Sequence, residues 1–196
     1  MIKIMKSSFI LASASPRRQQ LLRDIGLQFD VIPGDVNEDF LSDELPVDYV
    51  SRMSREKSDA IARKVPDAWV LGADTIVIID GEVLGKPLTR EDARNMLIKL
   101  SGREHCVITG FTIVKKSAHT TMTNAVESRV VFKTIEADEL EWYIDSPEPY
   151  DKAGAYAVQG MAGYFVKEIH GSYTNVVGLP LTEVVTALKE VGAVMF

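Results

Sequence analysis

Phe9-Ile10-Leu11-Ala12-Ser13-Ala14-Ser15-Pro16-Arg17-Arg18 is the stretch from which the fold can be read. Ser8 to Ala12 is a short apolar run, the pattern of a strand buried on both faces. Pro16 suits the first turn of a helix, where the missing N–H has no intrahelical partner anyway, and Ser15 stands in the N-cap position. Leu21, Leu22 and Ile25 continue as an apolar stripe, and Gly26 ends the helix.

Further along, Leu27 to Ile32 reads as a second strand and the acidic segment Pro33 to Leu45 as a loop. A helix is expected from Val47 to Lys64, with Tyr49, Val50, Met53 and Ile61 among its apolar positions. Ala68 to Ala73 and Thr75 to Ile79 are strand-like, and Asp80-Gly81 is a hairpin turn signal. Thr89 caps a helix over 90–100, with Glu91 and Asp92 in its first turn, and Ser101-Gly102 stops it. His105 to Lys115 and Thr121 to Phe132 form a long hairpin. Asp138 to Ile144 is a short helix broken by Ser146-Pro147-Glu148-Pro149. Tyr164 to Ile169 is a strand, and Leu181 to Val191 a closing amphipathic helix. Strands and helices alternate throughout, which predicts an α/β protein with a mixed sheet and flanking helices.

The chain has 196 residues, enough for one large domain or two small ones. With 46% hydrophobic and 26% charged residues, disorder, collagen and coiled coil are excluded as descriptions of the whole. The net charge of −6 argues against long nucleic acid and anionic membranes as partners, since both bind basic surfaces. The charge is unevenly spread. Residues 1–29 carry a net +4 and residues 30–59 a net −6, so a local anion site is compatible with an acidic chain. Cys106 is the single cysteine, so neither an internal disulfide nor a cysteine-rich zinc site can form. Lys3 and Lys6 ahead of Phe9–Ala12 imitate a signal peptide, but the apolar run is shorter than the roughly 7–15 residues of a real one. No stretch approaches the roughly 20 apolar residues of a membrane span. A cytoplasmic protein is the expectation.

Four segments could carry chemistry. Ser13-Ala14-Ser15-Pro16-Arg17-Arg18 places hydroxyls, guanidiniums and free N–H groups at a helix start, which suits phosphate; the plainer reading is a capped helix with solvated arginines. Asp74, in Leu71-Gly72-Ala73-Asp74-Thr75, lies among apolar strand residues, where a carboxylate needs a reason. It could be a metal ligand or a base for water, or a turn aspartate between two strands. Lys86 projects from the turn Gly85-Lys86-Pro87, as functional point charge or ordinary surface lysine. In Asp151–Gly160, small residues allow close approach of a ligand, and the Gln159 amide could read a base edge; a tight loop packed on a sheet is the alternative. Lys57, within Ser54-Arg55-Glu56-Lys57, and Glu38 and Asp39 read by themselves as solvated. His105, His119 and His170 have no zinc-ligand spacing. Cys106, Trp69 and Trp142 read as core.

Taken in order, Leu11–Arg18, Gly72–Thr75, Gly85–Pro87, Asp151–Tyr156 with Gln159-Gly160, Gly171–Tyr173 and Val177–Leu181 resemble the motifs of the Maf-like nucleoside triphosphate pyrophosphatases. Each is weak alone, and in this order they are specific. Within the family, Ala-Tyr-x-x-Gln-Gly resembles the branch acting on dTTP and UTP, although Ala157-Val158 stands where that branch often has Gly-Ile.

The resemblance implies one α/β domain over residues 1–196, in two lobes around a central cleft, similar to the inosine triphosphate pyrophosphatases. It implies hydrolysis of dTTP and UTP to the monophosphate and pyrophosphate, with a housecleaning role against modified nucleotides. A nucleotide-binding regulator of cell division or septum formation, with incidental hydrolysis, is the alternative. By matching position, Asp74 is the catalytic residue. Ser13, Arg17, Arg18, Lys57 and Lys86 are triphosphate ligands. Arg17, Thr75 and Gln159 mark base specificity, and Asp74 with Glu38 holds a divalent cation, Mg²⁺ being expected. A homodimer is compatible with the resemblance.

Overall fold

The computed structural model describes residues 2–4 and 8–195. Lys6 of the leader-like segment, and Met1 and Phe196 at the ends of the single-domain expectation, lie outside the described residues. In chain order the elements are β1 (Lys3–Ile4), β2 (Phe9–Leu11), α1 (Pro16–Asp24), β3 (Asp30–Val31), α2 (Pro46–Ala62), β4 (Trp69–Ile79), β5 (Glu82–Leu84), α3 (Arg90–Leu100), β6 (Glu104–Lys115), β7 (Thr120–Phe132), α4 (Ala137–Ile144), β8 (Val166–His170), α5 (Tyr173–Val177), α6 (Leu181–Glu190) and β9 (Val194–Met195). The main sheet has the order β3-β2-β4-β6-β7-β8, with β5 beside β4, while β1 and β9 form a separate antiparallel pair. This is a mixed α/β architecture. Among the described residues no helix is long and apolar enough to cross a membrane.

The chain divides into two compact units, one of Met1–Asp74, Thr109–Val126 and Gly178–Phe196, the other of Thr75–Ile108 and Glu127–Val177. In the first unit, β2 pairs in parallel with both β3 and β4, in the register Phe9↔Trp69, Ile10↔Val70 and Leu11↔Leu71. Ile10, Ala12, Ile61, Val70 and Val114 pack together there. Helix α1 begins as its sequence requires. Ser15 Oγ accepts the Arg18 N–H at 3.5 Å and Pro16 occupies the first turn. Helix α2 buries Tyr49, Val50, Met53, Ser54, Lys57, Ser58, Ile61 and Ala62, a stripe recurring every three to four residues as a helix dictates.

In the second unit, Asp80 and Gly81 turn the chain with positive φ, and β5 returns antiparallel to β4. Thr89 and Asp92 form a reciprocal capping box on α3. Its core includes Leu97, Phe132, Tyr143, Tyr156 and Phe165. The rings meet edge to face, as Phe132 and Tyr156 do at 4.8 Å and Tyr143 and Phe165 at 5.3 Å.

The structure departs from sequence expectation in several places. Asp74 does not turn the chain, because β4 is continuous through it. The second strand shortens to Asp30–Val31. Residues 161–165 form a 3₁₀ turn ahead of β8, and α5 was not expected. Trp69 is buried, but Trp142 is 50% exposed, so it is not a core aromatic.

Candidate active site

Asp74 lies inside an apolar strand because that strand presents alternate residues to α2. Gly72 and Asp74 share one face of β4. A Cβ on Gly72 would stand 2.3 Å from the Ser54 carbonyl oxygen and 2.8 Å from the Ser58 nitrogen. The absent side chain therefore lets α2 lie directly on the strand. One residue back from Ser58, Lys57 then reaches Asp74 across the short gap, donating from Nζ to Oδ1 at 2.7 Å. Lys57 is only 8% exposed and Asp74 9%. The reading of Ser54–Lys57 as a solvated face is thus corrected, since Ser54 and Lys57 belong to the buried stripe while Arg55 is exposed.

Glu38 enters from the acidic loop. Its Oε1 lies 2.6 Å from Lys57 Nζ, so both carboxylates converge on one ammonium. The loop is tied down by side chains that the sequence did not single out for function. Tyr49 Oη donates to the Glu38 carbonyl at 2.8 Å, and its ring stacks on Phe40. Arg52 grips Glu44 with Nε at 2.6 Å and Nη2 at 2.7 Å, and its Nη2 also reaches the Asp39 carbonyl at 2.9 Å. That fork holds the Glu44 carboxyl below its ordinary pKa. The available signal was slight: Tyr49 looked like any stripe residue, and nothing in the local pattern marked Arg52.

Arg18 is placed by α1. Its Nε donates to the Gly178 carbonyl at 2.8 Å, and its Nη1 to Ser13 Oγ at 3.0 Å and to the Ala73 carbonyl at 2.9 Å. It thereby ties the phosphate-type turn to the residue preceding Asp74. Burial pushes its pKa below the usual arginine value, with Asp74 pulling the other way and Arg17 adding to the lowering. Ser13 is buried and Arg17 half-buried at the helix start. The first unit therefore brings together Ser13, Arg17, Arg18, Glu38, Lys57 and Asp74. Lys57 and Arg18 lie close to both carboxylates, with Arg17 beside Arg18, a combination suited to an anion that carries a cation with it.

Thr75, Lys86 and Gln159 fall in the second unit. Thr75 is half-buried, Lys86 and Gln159 exposed. Within that unit, the Gly154 N–H donates to the Gly85 carbonyl at 3.0 Å, so the Lys86 turn lies against the Asp151–Gly160 segment. Gly154 also packs on Val77, as the expectation of a tight loop on a sheet requires. A cavity of about 310 Å³ in this unit is lined by Asp138, Glu139, Trp142 and Tyr164, none of them a site candidate. Cys106 is half-buried, and burial together with nearby Glu127 pushes its thiol up to about 12, which leaves no thiolate nucleophile at neutral pH. Among the described residues, no group of three or more His, Cys, Asp or Glu could hold a metal. Two converging carboxylates do fit Mg²⁺, which commonly takes one or two from protein and the rest from water and phosphate.

The family model for Maf-like protein matches residues 8–191. The chain belongs to the Maf-like family. A Maf-like relative from Syntrophus aciditrophicus (strain SB), named dTTP/UTP pyrophosphatase, is 53% identical over 193 residues, covering 98% of this chain and 94% of its own. One of the same name from Geotalea uraniireducens (strain Rf4) is 52% identical over 189 residues, covering 96% and 97%. Among solved structures, the Ham1 protein of Staphylococcus aureus is similar at 16% identity and a TM-score of 0.47, over 64% of this Maf-like chain and 72% of that one.

Proposed function

We propose that this protein is a nucleoside triphosphate pyrophosphatase acting on dTTP and UTP, releasing the monophosphate and pyrophosphate. The observation that carries this reading is the convergence of Glu38 and Asp74 on buried Lys57, beside Ser13, Arg17 and Arg18 at a helix start. Relatives about half identical over almost the whole chain, named for this activity, support the substrate class. A cytoplasmic housecleaning role follows if modified pyrimidine nucleotides are also taken.

Phosphoryl transfer asks chiefly for positioning and charge neutralisation. In our reading Arg17, Lys57 and Lys86 neutralise the phosphate chain. Arg18 holds Ser13 and the strand carrying Asp74 while adding its charge. Asp74 and Glu38 would hold a divalent cation, Mg²⁺, which when bound supplies positive charge to the phosphate oxygens. Lys57 engages Oδ1 of Asp74, and we assign Oδ2 to the attacking water. As the water oxygen bonds to phosphorus, its proton passes to Asp74, the α–β phosphoanhydride bond breaks, and pyrophosphate leaves with that bond's electron pair. Thr75 and Gln159 are our candidates for base preference. Uracil and thymine present an N3–H between two carbonyls, an edge that an amide complements and cytosine does not offer.

The test is a panel of dTTP, UTP, CTP and GTP with Mg²⁺, scoring monophosphate and pyrophosphate. Fastest turnover of dTTP and UTP is expected. Orthophosphate as the direct product, or equal rates across the panel, would overturn the reading.

A further inference from the structure

Glu148 lies in the second unit, in the turn after α4 that the sequence marked only as a helix breaker. Its Oε2 accepts the backbone N–H of Met161 at 2.9 Å, and its Oε1 that of Ala162 at 3.2 Å. Tyr143 Oη donates to Oε1 from α4 at 3.2 Å. The Glu148 N–H donates to Ser146 Oγ, and that hydroxyl donates to the Tyr143 carbonyl at 2.7 Å. The carboxylate is thus anchored on its own side and grips two amides at the start of the 3₁₀ turn over residues 161–165. Amide-to-carboxylate bonds are charge-assisted and stronger than neutral ones.

Gly160 makes this grip possible. A Cβ there would stand 2.2 Å from Glu148 Oε2 and 2.4 Å from Oε1. The Gly160 N–H donates to the Ala157 carbonyl at 3.2 Å, and its own carbonyl accepts the Gly163 N–H at 3.0 Å. The backbone next to Gln159 is therefore fixed from several directions, while the Gln159 side chain is exposed. An exposed amide discriminates between base edges only if its backbone is held within roughly half an ångström.

We propose that Glu148 is a positioning residue for base selection: by clamping Gly160–Ala162 it sets where Gln159 presents its amide to the pyrimidine. This rests on the reading of Gln159 as base reader. Glu148 need not touch the nucleotide.

Glu148→Gln tests it, because the change keeps size and shape but turns an NH₂ towards one of the two N–H groups. The readout is kcat/KM for UTP and for CTP with Mg²⁺, in the full chain. The UTP-to-CTP ratio is expected to fall about tenfold, chiefly through faster CTP turnover, with UTP kcat held within about threefold. Gly160→Ala disturbs the same contact from the opposite side and should lower the ratio likewise, so the outcome does not hang on one variant folding. Gln159→Ala fixes the reference, and Glu148→Gln combined with it should lower the ratio no further. The proposal is overturned if Glu148→Gln and Gly160→Ala keep the wild-type ratio while Gln159→Ala loses it, or if both substrates decline in parallel as in a merely destabilised protein. An unchanged ratio in Gln159→Ala alone instead removes the base-reader reading, and the proposal with it.

Discussion

Lys57 Nζ stands between Glu38 Oε1 and Asp74 Oδ1, and this bridge sets what each substitution should do. Asp74→Asn removes the proton acceptor while Glu38 still balances Lys57, so the fold and nucleotide binding should persist. Turnover should fall by about 10²–10⁴, the usual contribution of a general base. Pyrophosphate release beside equilibrium binding of UTP checks this, and near-normal turnover would take Asp74 out of the mechanism. Arg18 makes a different expectation. Lysine cannot reach Gly178, Ala73 and Ser13 at once, and each buried carbonyl left unpaired costs about 1–3 kcal/mol. Arg18→Lys should therefore lower the midpoint of denaturant unfolding as well as kcat. A loss of nucleotide affinity with unchanged stability would show that Arg18 acts on phosphate alone. At this scale the sequence made Asp74 and Arg18 visible, because a carboxylate in an apolar strand and paired arginines after a cap are conspicuous. It left Lys57, Glu38 and Tyr49 looking solvated or merely apolar, since their meaning comes from partners distant in the chain.

Helix α2 carries the site because it lies on strand backbone rather than on side chains. Gly72→Ala places a methyl group against the Ser54 carbonyl and the Ser58 nitrogen, neither of which can swing aside. The helix must shift, at a cost of about 1–3 kcal/mol, the usual penalty for overpacking. Lys57 should move with it, so stability and turnover are expected to fall together, by chemical denaturation and pyrophosphate assay. A fully active, equally stable variant would show that the approach is looser than described. Element boundaries near α1 and α3 were readable because caps and apolar periodicity coincide there, whereas α2 was legible from its apolar periodicity alone, with no side-chain cap at its start. The break expected at Asp74 was not real. Aspartate is a poor strand former, but β4 runs unbroken through it, and the Lys57 contact gives the buried carboxylate its partner there.

For the whole molecule, stability in acid provides a test. His105 is 3% exposed, its Nε2 lies 2.7 Å from Tyr156 Oη, and its Nδ1 has no hydrogen-bond partner among the described residues. Burial lowers its pKa from 6.5 to about 4. The fold thus holds the neutral ring, whereas the unfolded chain takes up a proton near the ordinary value. This contribution is fully present above pH 6.5 and is lost as pH falls towards 4, a change on the order of 3 kcal/mol at most. Urea unfolding at pH 7 and pH 4.5 should show the decline, and His105→Phe should make it shallower; an equal decline in both proteins would exclude His105 as its source. The sequence by itself determined the α/β class, the main helices and the order of motifs, because periodicity, caps and turn residues act between near neighbours. Only the tertiary structure decided that Lys57 is buried between two carboxylates, that Arg18 braces the strand carrying Asp74, and that Glu148 clamps the backbone beside Gln159. Those contacts depend on how closely backbones approach across glycine, and on which buried charges find partners, neither of which local patterning specifies.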